Sequence, residues 1–294
     1  MTQSRFVILE DRGVLEIAGP DRASFLQGLV SNDTAQVSNQ RAVYGALLTP
    51  QGKYLHDFIM IGNGEAIRLD AEAARLGDLK RRLSIYRLRA NVTLDERPDL
   101  AVAAVFGGNP FGLPSDPGVA RTFKSGIAFT DPRLLALGAR AILPRAEIRG
   151  MLTETGAIEA DVSEYDRLRL SLGIPDGSRD LVLDKSILLE AGFDELNGVD
   201  WNKGCYIGQE LTARTRYRGL IKKRLFPVQI EGPAPPPGAI ITTDGHEAGE
   251  MRSSRDGMGL ALLRLEAVES GQKLTVGETG IAPIRPDWMR LADA

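Results

Sequence analysis

With 294 residues, 43% hydrophobic and 26% charged, the chain is long enough for two or three domains and has no biased tract that would keep a segment unfolded. Its formal net charge of -3 excludes a general attraction to phosphate backbones or anionic bilayers, so nucleic acid and membrane are not expected partners and any basic patch is local. A single cysteine forms no internal disulfide, and no apolar run approaches the ~18 residues of a bilayer span, which points to a reducing aqueous compartment.

In chain order, Phe6 to Leu9 and Val14 to Ala18 read as short strands. Because residues 1–5 run straight into a strand rather than an apolar leader, the expected location is the cytoplasm, or the mitochondrial matrix in a eukaryote. Gly19-Pro20-Asp21 opens a helix with Phe25, Leu26 and Leu29 on one face. Val43 to Leu48 and Tyr54 to Ile61 flank Pro50-Gln51-Gly52, where proline presets φ and glycine accepts φ > 0, so a hairpin is predicted. After a strand at Ala66 to Leu69, the spacing of Leu76, Leu79, Leu83 and Tyr86 predicts a helix from about Ala71 to Tyr86, and Val92-Thr93-Leu94 a further strand. The Gly- and Pro-rich span from Phe106 to Pro117 reads as an irregular surface loop.

Asp161 is placed to cap a helix carrying Val162, Tyr165, Leu168 and Leu172, which Gly173 and Pro175 stop; Ile174 to Ser186 then reads as an ordered loop. The run Gly232-Pro233-Ala234-Pro235-Pro236-Pro237-Gly238 is neither helix nor central strand. Short strands at Ala239 to Ile241, Gly259 to Leu263 and Lys273 to Val276 then have the spacing of a small barrel.

Cys205 is the sole thiol, preceded by Lys203 and Gly204 and followed by a helix start near Gln209-Glu210. A nearby ammonium and a helix N-terminus both favour thiolate, so Cys205 and Lys203 are the candidate reactive pair, against the alternative of a buried cysteine acting as a small hydrophobe. Gly204 and Gly208 bracket it and permit unusual backbone angles or close approach of a ligand. Besides Cys205 the chain's only Cys or His residues are His56 and His246, so a complete iron-sulfur or zinc site with ordinary ligands is not intramolecular, and any cluster ligated by Cys205 is shared with a partner. Arg214, Arg216, Arg218, Lys222, Lys223 and Arg224 form a basic stretch, either a solvated face or a guide for carboxylates. The Asn-x-Thr matches at Asn32 and Asn91 read as chance.

The block Asn202 to Arg224, centred on Lys203-Gly204-Cys205-Tyr206-Ile207-Gly208-Gln209-Glu210, resembles the hallmark of the YgfZ/GcvT-like folate-binding family. It is most similar to the branch that assists [4Fe-4S] cluster assembly in mitochondria. Gly173 to Asp180, Gly19 to Leu29 and Leu48 to Lys53 resemble the same family, so the likeness spans roughly Arg5 to Val228. The resemblance implies an α+β, three-part aminomethyltransferase-like fold around a central cavity with a C-terminal β-barrel-like domain. Its parts would be a discontinuous first domain at 1–48 and 150–225, an inserted middle domain at 49–149 and a barrel-like domain at 226–294.

It also implies a role as an accessory factor for [4Fe-4S] protein maturation or repair, with an A-type iron-sulfur carrier as partner and a cluster shared through Cys205. Tyr44 and Asp57 match the family's tetrahydrofolate contacts, and Arg169 and Arg224 are further candidates to hold this folate-like small molecule. The alternative the resemblance leaves is a tetrahydrofolate-dependent aminomethyltransferase. Those enzymes carry Arg-Leu-Glu-Ala-Gly where this chain has Arg169-Leu170-Ser171-Leu172-Gly173, so a pterin-directed glutamate is replaced by Ser171.

Overall fold

In the computed structural model, which describes residues 3–219 and 221–291, the predicted N-terminal pattern appears as β1 (Arg5–Ile8), β2 (Arg12–Ala18) and α1 (Arg22–Gln27). Leu220, inside the hallmark block, lies outside the described residues. The hairpin predicted at Pro50-Gln51-Gly52 joins β3 (Ala42–Leu48) to β4 (Tyr54–Asn63); Gly52 has φ +67, and its N–H donates to the Thr49 carbonyl at 2.9 Å. β5 (Ala66–Glu72) runs further than expected, because its last residues pair with Arg12 and Gly13 of β2. Strand pairing overrides local propensity there, and α2 (Leu76–Ile85) begins later than Ala71. β6 (Thr93–Glu96) completes a five-stranded sheet of order β3-β4-β5-β2-β6.

A second sheet was largely invisible to pattern reading. Its strands are β7 (Leu100–Phe106), β8 (Ala120–Phe123), β9 (Gly126–Thr130) and β10 (Ala139–Pro144), together with β1 and, after α3 (Ile148–Thr153), the short β11 (Ile158–Glu159). All seven residues of β7 are buried between β1 and β10, so no inside-outside alternation marks the strand. The span expected as a surface loop also contributes to the core, since Phe111 and Leu113 are 5% and 4% exposed. Asp161 does cap α4 (Val162–Ser171), its Oδ1 accepting from the Ser163 N–H at 2.8 Å.

The chain sorts into two compact units. One comprises Met1–Leu48, Leu55–Tyr165 and Leu196–Ile207; the other comprises Thr49–Tyr54, Asp166–Glu195 and Gly208–Ala294. In the second, α5 (Gln209–Tyr217) precedes a closed barrel of β12 (Lys223–Glu231), β13 (Ile240–Thr243), β14 (His246–Arg255), β15 (Met258–Arg264), β16 (Leu274–Val276) and β17 (Thr279–Pro283), with α6 (Leu265–Glu269) after β15. The barrel interior is apolar, filled by Phe226, Val228, Ile241, Met251, Leu263 and Ile281 among others.

The first unit also has a polar interior. Arg12 on β2 reaches Asp70 on β5 at 2.7 Å; Arg140 on β10 pairs with the same Asp70 and, at 3.2 Å, with Asp131; Arg133 closes on Asp131 at 2.7 Å. Burial pushes the Asp70 carboxyl upward, but Arg12 and Arg140 outweigh it and hold the group below its ordinary range. Removing one member of such a chain leaves an uncompensated charge in the core.

Candidate functional site

The hallmark loop turns Lys203 and Tyr206 inward and the two residues between them outward. Lys203 is 8% exposed, and its ammonium donates to the carbonyls of Gln27 at 2.9 Å, Val30 at 2.7 Å and Asn32 at 2.7 Å, just past the end of α1. The Gln27 carbonyl belongs to the last residue of α1, where a helix leaves its carbonyls without intrahelical partners and a cation suits the helix dipole. An ammonium has three N–H donors, and all three are used, so Lys203 has none left for the neighbouring sulfur. Burial pushes the Lys203 pKa down to about 8, while Asp33 and Asp200 pull it up.

The rest of the segment is fixed as firmly. Asp200 Oδ1 accepts from the backbone N–H groups of Asn202 at 2.7 Å and Lys203 at 3.1 Å, and Ser31 Oγ donates to the Gly198 carbonyl at 2.6 Å. Tyr206 is buried with its ring 5.2 Å from the Lys203 ammonium, and the Ile207 N–H donates to the Gly28 carbonyl at 3.2 Å. Between these anchors Gly204 and Cys205 face outward: Cys205 is an exposed free thiol, and a Cβ at Gly204 would meet nothing within 4 Å. Gly208, at φ +85, supplies the left-handed residue that starts α5.

Tyr44 and Asp57 are brought together, but by each other. The Tyr44 hydroxyl donates to Asp57 Oδ2 at 3.0 Å, and the two residues are 1% and 4% exposed. Burial, reinforced by Asp57, raises the Tyr44 pKa well above its ordinary value, and the Arg133 guanidinium 5.6 Å from the ring opposes this. Asn32 joins this pair to the cysteine loop: its amide donates to the carbonyls of Tyr44 and Asn197, each at 2.7 Å.

Beside them on β4, His56 lies 2.9 Å from Asp78, and burial and Arg75 push its pKa down to about 4 against that carboxylate. In the second unit Arg169 is bound to Asp166 at 2.7 Å, Asp180 at 2.8 Å and Ser253 at 2.9 Å, and Arg224 to Glu195 at 2.8 Å and the Leu189 carbonyl at 3.0 Å. The basic stretch therefore divides, with Arg224 internal while Arg214, Arg216 and Arg218 are exposed. Ser171 is exposed, and its hydroxyl donates to the Leu168 carbonyl at 2.8 Å.

The chain is 36% identical to the mitochondrial iron-sulfur cluster assembly factor IBA57 of Mus musculus, over 95% of this chain and 84% of that protein, and 34% identical with the same coverages to that of Homo sapiens. It belongs to the IBA57 family. Residues 222–291 match the C-terminal β-barrel domain of CAF17, in agreement with the closed barrel seen there. The fold matches the crystal structure of the glycine cleavage system aminomethyltransferase T from Bartonella henselae, with a TM-score of 0.80, 15% identity and coverage of 98% of this chain and 87% of that one. The expected α+β, aminomethyltransferase-like fold with a C-terminal barrel is thus present. The curated relatives are described as mitochondrial, so the cytoplasmic expectation finds no support among them.

For an IBA57 family member, the hallmark motif identified the thiol from sequence, but not what holds it. Asp200 and Ser31 carry no motif, and Asn32 stands out in the sequence only as a chance Asn-x-Thr match. Asp200-x-Asn202 is the kind of spacing at which an aspartate accepts from the backbone two residues on, and was the one local signal available. The carbonyl trio under Lys203 has no side-chain signature.

Proposed function

We propose that the chain is a maturation factor for [4Fe-4S] proteins in which Cys205 provides one thiolate to a cluster shared with an A-type carrier, the cluster being cargo rather than a resident group. The observation that carries this reading is the lone, exposed Cys205 held outward on a loop anchored at both ends. Among the described residues no group of three or more His, Cys, Asp or Glu side chains is placed to hold a metal, so the remaining ligands come from outside the chain. Lys203 acts in positioning: its ammonium fastens the loop and leaves the thiol free for the partner. The names of the relatives support both the iron-sulfur role and a mitochondrial location.

The matching residues do not fit a pterin as they stand: the Asp57 carboxylate already holds the Tyr44 hydroxyl, Arg169 and Arg224 are bound to internal carboxylates, and Ser171 offers no bidentate acceptor. Anaerobic reconstitution with purified A-type carrier tests the reading. Wild type is expected to form a cluster-bridged complex with a charge-transfer absorption that Cys205→Ala lacks; an identical complex from Cys205→Ala overturns the ligand role.

A further inference from the structure

Far along the first unit from the cysteine motif in sequence, the segment that ends α2 carries a separate run of cations. Lys80, Arg81, Arg82, Arg87 and Arg89 occur without an intervening acid in a protein whose net charge is -3. Asp78 pairs with Arg81 and Arg82, but among the described residues Lys80, Arg87 and Arg89 make no ion pair. Within the same ten positions Ile85, Tyr86 and Leu88 are 62%, 41% and 89% exposed. Three large apolar side chains in four residues, ringed by cations, have the composition of a recognition patch rather than of a solvated helix end.

The segment is also held in shape. The Tyr86 N–H donates to the Leu83 carbonyl at 3.0 Å, Arg87 N–H to Ser84 at 3.2 Å and Ala90 N–H to Arg87 at 2.7 Å, and Leu88 sits at φ +41. A leucine in the left-handed region is strained, and it is kept there with its side chain in solvent rather than in a core. A pre-shaped turn loses little entropy when a partner covers it.

We propose that this turn docks an acidic protein surface with an apolar recess that takes Ile85 and Leu88. Four of the five cations are arginines, whose guanidinium forks pair with carboxylates in two-point geometry, and Tyr and Arg concentrate at the centres of protein interfaces. A bilayer would be served as well by lysines. The docking does not rest on Cys205, and Cys205→Ala leaves it intact.

The test begins with a benzophenone amino acid placed at position 84, with position 65, another exposed site of the first unit, as control. A protein crosslinked only from position 84 is purified and titrated against wild type, Leu88→Ser and the double variant Arg87→Glu/Arg89→Glu. Both variants alter exposed side chains and are expected to keep the wild-type thermal midpoint. The expected result is at least a tenfold loss of affinity in each, affinity that falls with added salt, and recovery when an acidic residue of the partner is reversed to match the double variant. Equal crosslinking from position 65, equal binding of the variants, or loss only of binding to phosphatidylglycerol vesicles overturns the proposal, the last making the turn a membrane contact.

Discussion

The cysteine loop and the Tyr44-Asp57 pair lie in the same unit, share Asn32, and use buried polar contacts to opposite ends. At the loop, Lys203 gives all three donors to backbone carbonyls, and the result is a thiol that faces solvent with nothing crowding it. At the pair, the hydroxyl donates to the carboxylate inside the core, and the result is closure. A buried hydrogen bond can therefore present a reactive group or retire one, and the side chains at the two places would look equally functional in a sequence.

The sharpest way to break the comparison is Lys203→Met, which strands three buried carbonyls. A loss of roughly 3 kcal/mol in denaturant unfolding is expected, together with loss of the cluster-bridged complex although Cys205 is intact. Next is acid. His56 has a folded pKa of about 4 against an ordinary 6.5, so the unfolded chain takes up its proton first as pH falls. That contribution is complete above pH 6.5 and is lost as pH drops toward 4, on the order of 2–3 kcal/mol, and His56→Gln should flatten this part of a stability-versus-pH curve.

Tyr44→Phe removes the hydroxyl from a buried carboxylate and should lower stability by about 1–2 kcal/mol, read by the denaturation midpoint, while leaving the reconstituted complex unchanged. The smallest effects on stability belong to Cys205→Ala and Gly204→Ala, each within about 0.5 kcal/mol because both side chains face open space. Gly204→Ala nonetheless is expected to weaken the bridged complex, since the added methyl stands where a partner must approach the sulfur; unaltered assembly would show that the partner comes from another side.

What was legible follows from these contrasts. The N-terminal strands, the Pro50-Gln51-Gly52 hairpin, the Asp161 cap and the barrel were readable because each depends on local pattern or turn chemistry. β7 was not, because a strand covered on both faces loses its alternation, and the start of α2 was displaced by pairing between Glu72 and Arg12. At the site, the motif pointed to Cys205, whereas the direction of Lys203 depends on carbonyls more than 170 residues away in sequence, which no local rule contains. Arg169 and Arg224 are taken up by Asp180 and Glu195, 11 and 29 residues away, partners that no helix or strand spacing marks.

That separation has a temporal consequence. The platform from Gln27 to Asn32 is synthesised well before the segment that caps it, 196–207, since 171 residues separate Asn32 from Lys203. The loop closes over a long span and late in synthesis, so the thiol is offered in its final setting only by a chain that has been translated past residue 207. A product truncated or stalled before that point carries the first two sheets without a presented cysteine, and placement of the thiol doubles as a report that synthesis has reached that far.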